Sequence, residues 1–128
     1  MFSNDGKPGA VHFSLRSDGM PNVAINTGRS EWTHRKARLG LAAGKWYHVA
    51  LVCDARLGGT ARFYVDGQPA GAMPLALGRP LDLDSIRFGA YNLWEHNPAN
   101  NFHGEIDNVR IYTGMLTDKE AAQLAAER

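Results

Sequence analysis

Glu105 and Asp107 stand two residues apart in the run Glu105-Ile106-Asp107-Asn108-Val109-Arg110. On an extended chain that spacing puts both carboxylates on one face of a strand. Paired carboxylates are the equipment of glycoside hydrolysis, one as nucleophile and one as acid/base. Three residues beyond Asp107, however, stands Arg110. A cation there keeps nearby carboxylates ionised, which spoils a general acid. Asp107 and Arg110 therefore read as ties between strand ends and loops. No residue is assigned a catalytic role, and the chain is read as a non-enzyme.

Two tryptophans carry a second chemistry. Trp94 lies in a stretch rich in amides, with Asn92, Glu95, His96, Asn97 and Asn100 around it. Trp32 lies in Arg29-Ser30-Glu31-Trp32-Thr33-His34-Arg35. An indole can stack on the C–H face of a pyranose while amides, acids, histidine or arginine fix its hydroxyls. Both stretches read as exposed loops, where binding residues concentrate. The candidate ligand-binding residues are thus Trp94, Asn92, Glu95, His96, Asn97, Asn100, Trp32 and Arg29, set against the plainer reading of each tryptophan as a lid over the core rim.

Other chemistries find little support. No Gly-x-Ser-x-Gly elbow is present. The five histidines are not spaced as zinc ligands. No glycine-rich loop that could cradle a phosphate precedes a helix. The single cysteine, Cys53, sits in an apolar run, excludes an internal disulfide and reads as a buried small hydrophobe. With 14 Lys and Arg against 13 Asp and Glu, the formal net charge of +1 offers no strong pull on nucleic acid or an anionic membrane. No apolar run approaches membrane-spanning length. The densest basic group, Arg35, Lys36 and Arg38, reads as a solvated loop.

The elements that must position these residues are short and alternating. Val11–Leu15 and Asn22–Asn26 flank a Ser-Asp-Gly turn and predict a hairpin. Trp46–Cys53 is apolar on both faces, as a central strand would be. Ala61–Val65 alternates and ends at Asp66-Gly67, a strong turn signal. Ser85–Tyr91 and Glu105–Tyr112 complete the strands. Thr117-Asp118-Lys119-Glu120 is a capping box that starts one short helix, with Leu116 and Leu124 placed to pin it down. The 128 residues fit one domain, 1–128, an all-β antiparallel sandwich or jelly roll with a C-terminal helix.

Several of these runs, in order, resemble the laminin-G-like, concanavalin-A-like domains. Gly44-Lys45-Trp46-Tyr47-His48-Val49-Ala50 resembles the G-x-W-x-H-V-A strand, and Phe63-Tyr64-Val65-Asp66-Gly67 the Y-V-D-G hairpin. Ser85-Ile86-Arg87-Phe88-Gly89 is similar to a later strand of these domains. Phe102 to Tyr112 matches the closing F-x-G-x-I-D-x-V-R-I-Y, and Met115-Leu116-Thr117 with Glu120 the helix start after it.

The resemblance implies a non-catalytic binding module of a larger secreted or surface protein, extracytoplasmic in location. A glycan would be its ligand; protein adhesion or a spacer role is the alternative, and glycoside hydrolysis a weaker one. Hydrolases of this fold carry E-x-D-x-x-E, from which Arg110 departs. Such domains also hold calcium at the rim, so calcium is the cofactor implied. Asp5, Asp18, Asp54, Asp82 and Asp84 are its oxygen-bearing candidates, with Asp82-Leu83-Asp84 the nearest to a cluster. The resemblance makes Trp46 a core residue. It also implies strands ahead of Ala10 that the sequence lacks, so the chain resembles a domain cut within its N-terminal part. The first and last strands of this fold pair. The edge of Glu105–Tyr112 is therefore expected to be covered by another chain, a second copy included, or by rerouted N-terminal residues.

Overall fold

The computed structural model describes residues 2–3, 7–28, 31–75, 77–84, 86–90 and 101–127, with the side chains of 2, 3 and 31 set aside. Among the described residues eight strands and a helix follow in chain order: β1 (Phe2–Ser3), β2 (Val11–Leu15), β3 (Pro21–Gly28), β4 (Glu31–Lys36), β5 (Val49–Cys53), β6 (Gly59–Val65), β7 (Gln68–Leu75), β8 (Arg87–Phe88) and α1 (Asp118–Ala126). They form a five-stranded sheet in the order β4-β3-β2-β1-β8 and a three-stranded sheet in the order β5-β6-β7. All the strand pairs are antiparallel.

Alternation fixes which side chains meet. Val11 and Phe13 on β2, with Val23 and Ile25 on β3, face Ala61, Phe63 and Val65 on β6 and Leu75 on β7, and together they form the main core. The Phe13 and Phe63 rings sit 6.4 Å apart and tilted, joining the two sheets. The outer face of the three-stranded sheet buries Tyr64 and Val52 against Ala121 of α1, with Leu116 packed beside them. The architecture is the all-β sandwich expected, with the helix laid on one sheet.

The hairpin β2–β3 has Val11 opposite Ile25 and Phe13 opposite Val23. The hairpin β6–β7 closes with Val65 opposite Gln68, across Asp66 (φ 49°) and Gly67 (φ 75°). Two positive φ values are what a twisted two-residue hairpin loop requires. The helix begins at the capping box: Glu120 N–H donates to Thr117 Oγ1, and Thr117 N–H donates to the Glu120 carboxylate. Those bonds hold the Glu120 carboxyl below its ordinary value.

Five expectations need correction. Trp46–Cys53 is a strand only from Val49, and β5 is an edge, not a central strand. Both its faces are apolar because one meets the main core and the other the cluster under α1. Trp46 is 59% exposed and so is not a core residue. Of the expected strand Ser85–Tyr91, the described residues 86–90 are strand at Arg87–Phe88 alone. Glu105–Tyr112 forms no strand, because nothing pairs with it among the described residues. β1 is not its cover: it lies between β2 and β8, with Phe2 opposite both Phe13 and Phe88.

Cys53 packs against the main core, and burial pushes its thiol up to about 12. The thiol therefore stays protonated across the ordinary pH range. At pH 8 it holds roughly a thousandfold less thiolate than a free cysteine. A thiol reagent should label the native protein very slowly and label it at once after unfolding. Equal rates in both states would show the side chain to be open to solvent.

Candidate functional site

Trp32 lies on a strand rather than on the loop its neighbours suggest. In β4 the register sets Asn26 opposite Trp32, Ala24 opposite His34 and Asn22 opposite Lys36. In β2 it sets His12 opposite Ala24 and Ser14 opposite Asn22. Because Val11, Phe13, Val23 and Ile25 point into the core, the intervening residues point outward. The outer face of the five-stranded sheet thus gathers His12, Ser14, Trp32, His34 and Lys36 around a low centre at Ala24.

The indole is half-buried, and its ring stands 4.4 Å from the His12 ring at a 40° tilt. His34 and Lys36 are exposed. Beneath them Asn22 and Asn26 are buried, at 6% and 2% exposure, an unusual burial for amides. Each is used locally. Asn22 Nδ2 donates to Ser14 Oγ at 3.4 Å, and the Asn26 side-chain oxygen accepts from Gly28 N–H at 2.8 Å. These bonds brace β3 and so hold the rows that carry His12 and Trp32. Arg35 confirms the alternation from the other side: its Nε donates to the Pro74 carbonyl of β7 at 2.9 Å.

This arrangement offers an aromatic surface with imidazole, hydroxyl and ammonium groups beside it. It can stack on an apolar face and hydrogen-bond a polar rim. Sequence reasoning singled out Trp32 but missed its companions. His12 reads as an ordinary strand histidine, and nothing local ties it to a tryptophan twenty residues away. The signal available was the alternation of Glu31–Lys36 itself, with Trp32, His34 and Lys36 two residues apart.

The other predicted residues divide. Trp94, Asn92, Glu95, His96, Asn97, Asn100 and Arg29 lie outside the described residues, as does Asp5. Asp82 Oδ1 accepts from Asp84 N–H at 2.9 Å, a local turn. Asp54 is held by Arg56 at 2.6 Å, which draws its carboxyl down to about 2. Asp18 accepts from Met20 N–H. Among the described residues no three His, Cys, Asp or Glu side chains gather as metal ligands.

Glu105 and Asp107 are exposed and stand on no strand, so no ladder fixes a shared face. Asp107 Oδ1 accepts from Asn108 N–H at 2.7 Å. Arg110 reaches the end of α1, pairing with Glu127 at 2.6 Å.

A second concavity, of about 600 Å³, lies between Arg38, Arg62, Pro69 and Asp118. Arg62, Tyr64 and Asp118 are engaged there. Tyr64 OH donates to Asp118 at 2.7 Å, and Arg62 donates to the Leu116 carbonyl at 2.8 Å. Desolvation, then the Asp118 bond, raises the Tyr64 phenol above its usual value. The cleft therefore anchors α1.

The family model described as the concanavalin A-like lectin/glucanases superfamily, Laminin_G_3, matches residues 1–122. The chain belongs to that family. This laminin-G-like domain also resembles, in fold, a solved S-layer domain-containing protein from Clostridium thermocellum. The two are 23% identical with a TM-score of 0.55, over 91% of this chain and 56% of the other. The domain thus spans little more than half of that solved chain. No curated protein matches it. No helix among the described residues is long and apolar enough to cross a membrane.

Proposed function

We propose that this laminin-G-like domain is a non-catalytic carbohydrate-binding module working outside the cytoplasm as part of a larger protein. The observation that carries the reading is the Trp32–His12 ring pair on the outer sheet face, with His34, Lys36 and Ser14 around it. A half-open indole supplies the apolar surface for a sugar ring, and the flanking groups supply donors and acceptors for its hydroxyls. The braced amides beneath reduce the ordering that binding would otherwise require. The stretch from Asn92 to Asn100, with Trp94, and Arg29 join the proposal on their sequence alone.

The non-catalytic part rests on the carboxylates. A glycosidase needs one acid kept protonated near neutral pH. Asp54 and Glu120 are both pulled the other way, and Glu105 and Asp107 lack a shared strand to orient them. Calcium stays a secondary proposal, resting on the family resemblance and on Asp82 and Asp84.

The fold neighbour's description as S-layer domain-containing favours a second reading, a structural or adhesion module. A glycan array separates the two. Signal on a defined glycan class that is lost in Trp32→Ala supports the sheet-face site. Signal lost in Trp94→Ala alone moves the site to the 91–100 stretch. A blank array favours the structural module. Turnover on a polysaccharide panel that disappears in Glu105→Gln would overturn the non-catalytic reading.

A further inference from the structure

Ten large hydrophobic side chains are exposed among the described residues, and five of them fall within 106–115. They are Ile106, Val109, Ile111, Tyr112 and Met115, each between 41% and 52% exposed. Apolar residues this open and this close together are rare on a self-sufficient surface. Their pattern is that of a strand. Ile106, Val109 and Ile111 fall on one face if the alternation skips one residue at Asn108. Asn108 has φ 51°, the left-handed conformation that starts such a bulge. Among the described residues the backbone from 103 to 112 nonetheless makes no ladder. Phe102 N–H reaches the Gly89 carbonyl at 2.9 Å, and beyond it, among the described residues, Asn108 N–H donates to the neighbouring Asp107 carboxylate.

We infer that residues 105–112 form the interface strand of a homodimer, pairing antiparallel with the same strand of a second copy. Three observations point to a second copy as the occupant. β1 is already taken up between β2 and β8, so it does not supply the pairing strand. The charges are self-complementary: Glu105 and Asp107 lie at one end of the run and Arg110, which also holds Glu127 at the end of α1, at the other. Antiparallel pairing about the Asn108–Val109 step sets each Asp107 opposite the Arg110 of the other copy, and Ile106 opposite Ile111. Parallel pairing would set like charges side by side. With a net charge of +1, long-range repulsion between copies is slight. The twofold axis pairs one edge of each copy's strand with the other's, a closed contact between two copies rather than a head-to-tail one.

One strand pair with its flanking side chains makes a small interface, at the weak end of specific contacts. Dimerisation is therefore concentration-dependent. Sedimentation velocity from low micromolar to near-millimolar protein tests it. The wild-type mass should climb from 14.0 kDa toward twice that value. Ile111→Lys and, separately, Asp107→Arg should stay at 14.0 kDa throughout, with unchanged circular dichroism and melting temperature, since both side chains are exposed. If Ile111→Lys unfolds, Asp107→Arg decides alone.

A wild type that stays monomeric at every concentration overturns the inference. Slow amide exchange along 105–112 in that monomer would assign the cover to another part of the same chain. A dimer that survives both substitutions overturns it too, because the copies then meet elsewhere.

Discussion

Replacing Phe63 with alanine should lower the unfolding free energy by about 3–5 kcal/mol. The ring is fully buried and belongs to the central strand of the three-stranded sheet. It meets Phe13 across the sandwich, and Phe13 is the aromatic residue of β2 in the main core. Truncation removes transfer free energy and leaves a cavity between two sheets whose backbones are held by their own ladders, so the void cannot collapse. Domains of this size are stable by about 5–15 kcal/mol in total, so the variant should be close to unfolding at physiological temperature. Urea denaturation followed by tryptophan fluorescence measures the change. A loss below about 1 kcal/mol would mean that the sheets close over the gap and that the core is looser than the packing indicates.

Gly67→Ala should cost about 2–4 kcal/mol, a large effect for one methyl group. Gly67 has φ 75°, which an alanine adopts only with strain. A Cβ there would also stand 2.8 Å from the Ala122 Cα and 3.1 Å from the Ala125 Cβ, inside the surface of α1. The turn and the helix cannot both stay in place, and α1 should move away from Tyr64. Gly44→Ala is the control. Its φ is also 75°, but nothing lies within 4 Å of the added methyl. It should lose only the backbone part, about 1 kcal/mol. Equal losses in both variants would show that α1 does not press on the turn.

What could be read from the residues was what local chemistry decides. The β2–β3 hairpin, the Asp66-Gly67 turn and the Thr117–Glu120 capping box each depend on a few adjacent side chains, and each stands where the pattern put it. The sandwich followed from their number and order. Distant partners were less legible. Trp46 sits in a family strand motif yet is exposed, because the chain becomes a strand only at Val49. β4 read as a loop because Trp32, His34 and Lys36 on one face and Thr33 and Arg35 on the other give no apolar-polar contrast, although its two-residue period was present. Glu105–Tyr112 has the residues of a strand and, among the described residues, no ladder, since a strand exists only where another pairs with it. The pairing of His12 with Trp32 depended on the β2–β3–β4 register, which no single stretch of sequence carries.

The outer face of the five-stranded sheet is where the account is most exposed to test. Calorimetric titration of the glycan selected on the array, into wild type, Trp32→Ala and Trp32→Tyr, addresses it directly. Kd should weaken by about tenfold or more for Trp32→Ala and stay near the wild-type value for Trp32→Tyr, which restores a stacking ring. Melting temperatures should agree among the three. Unchanged affinity in Trp32→Ala, with the protein folded, would contradict the sheet-face site.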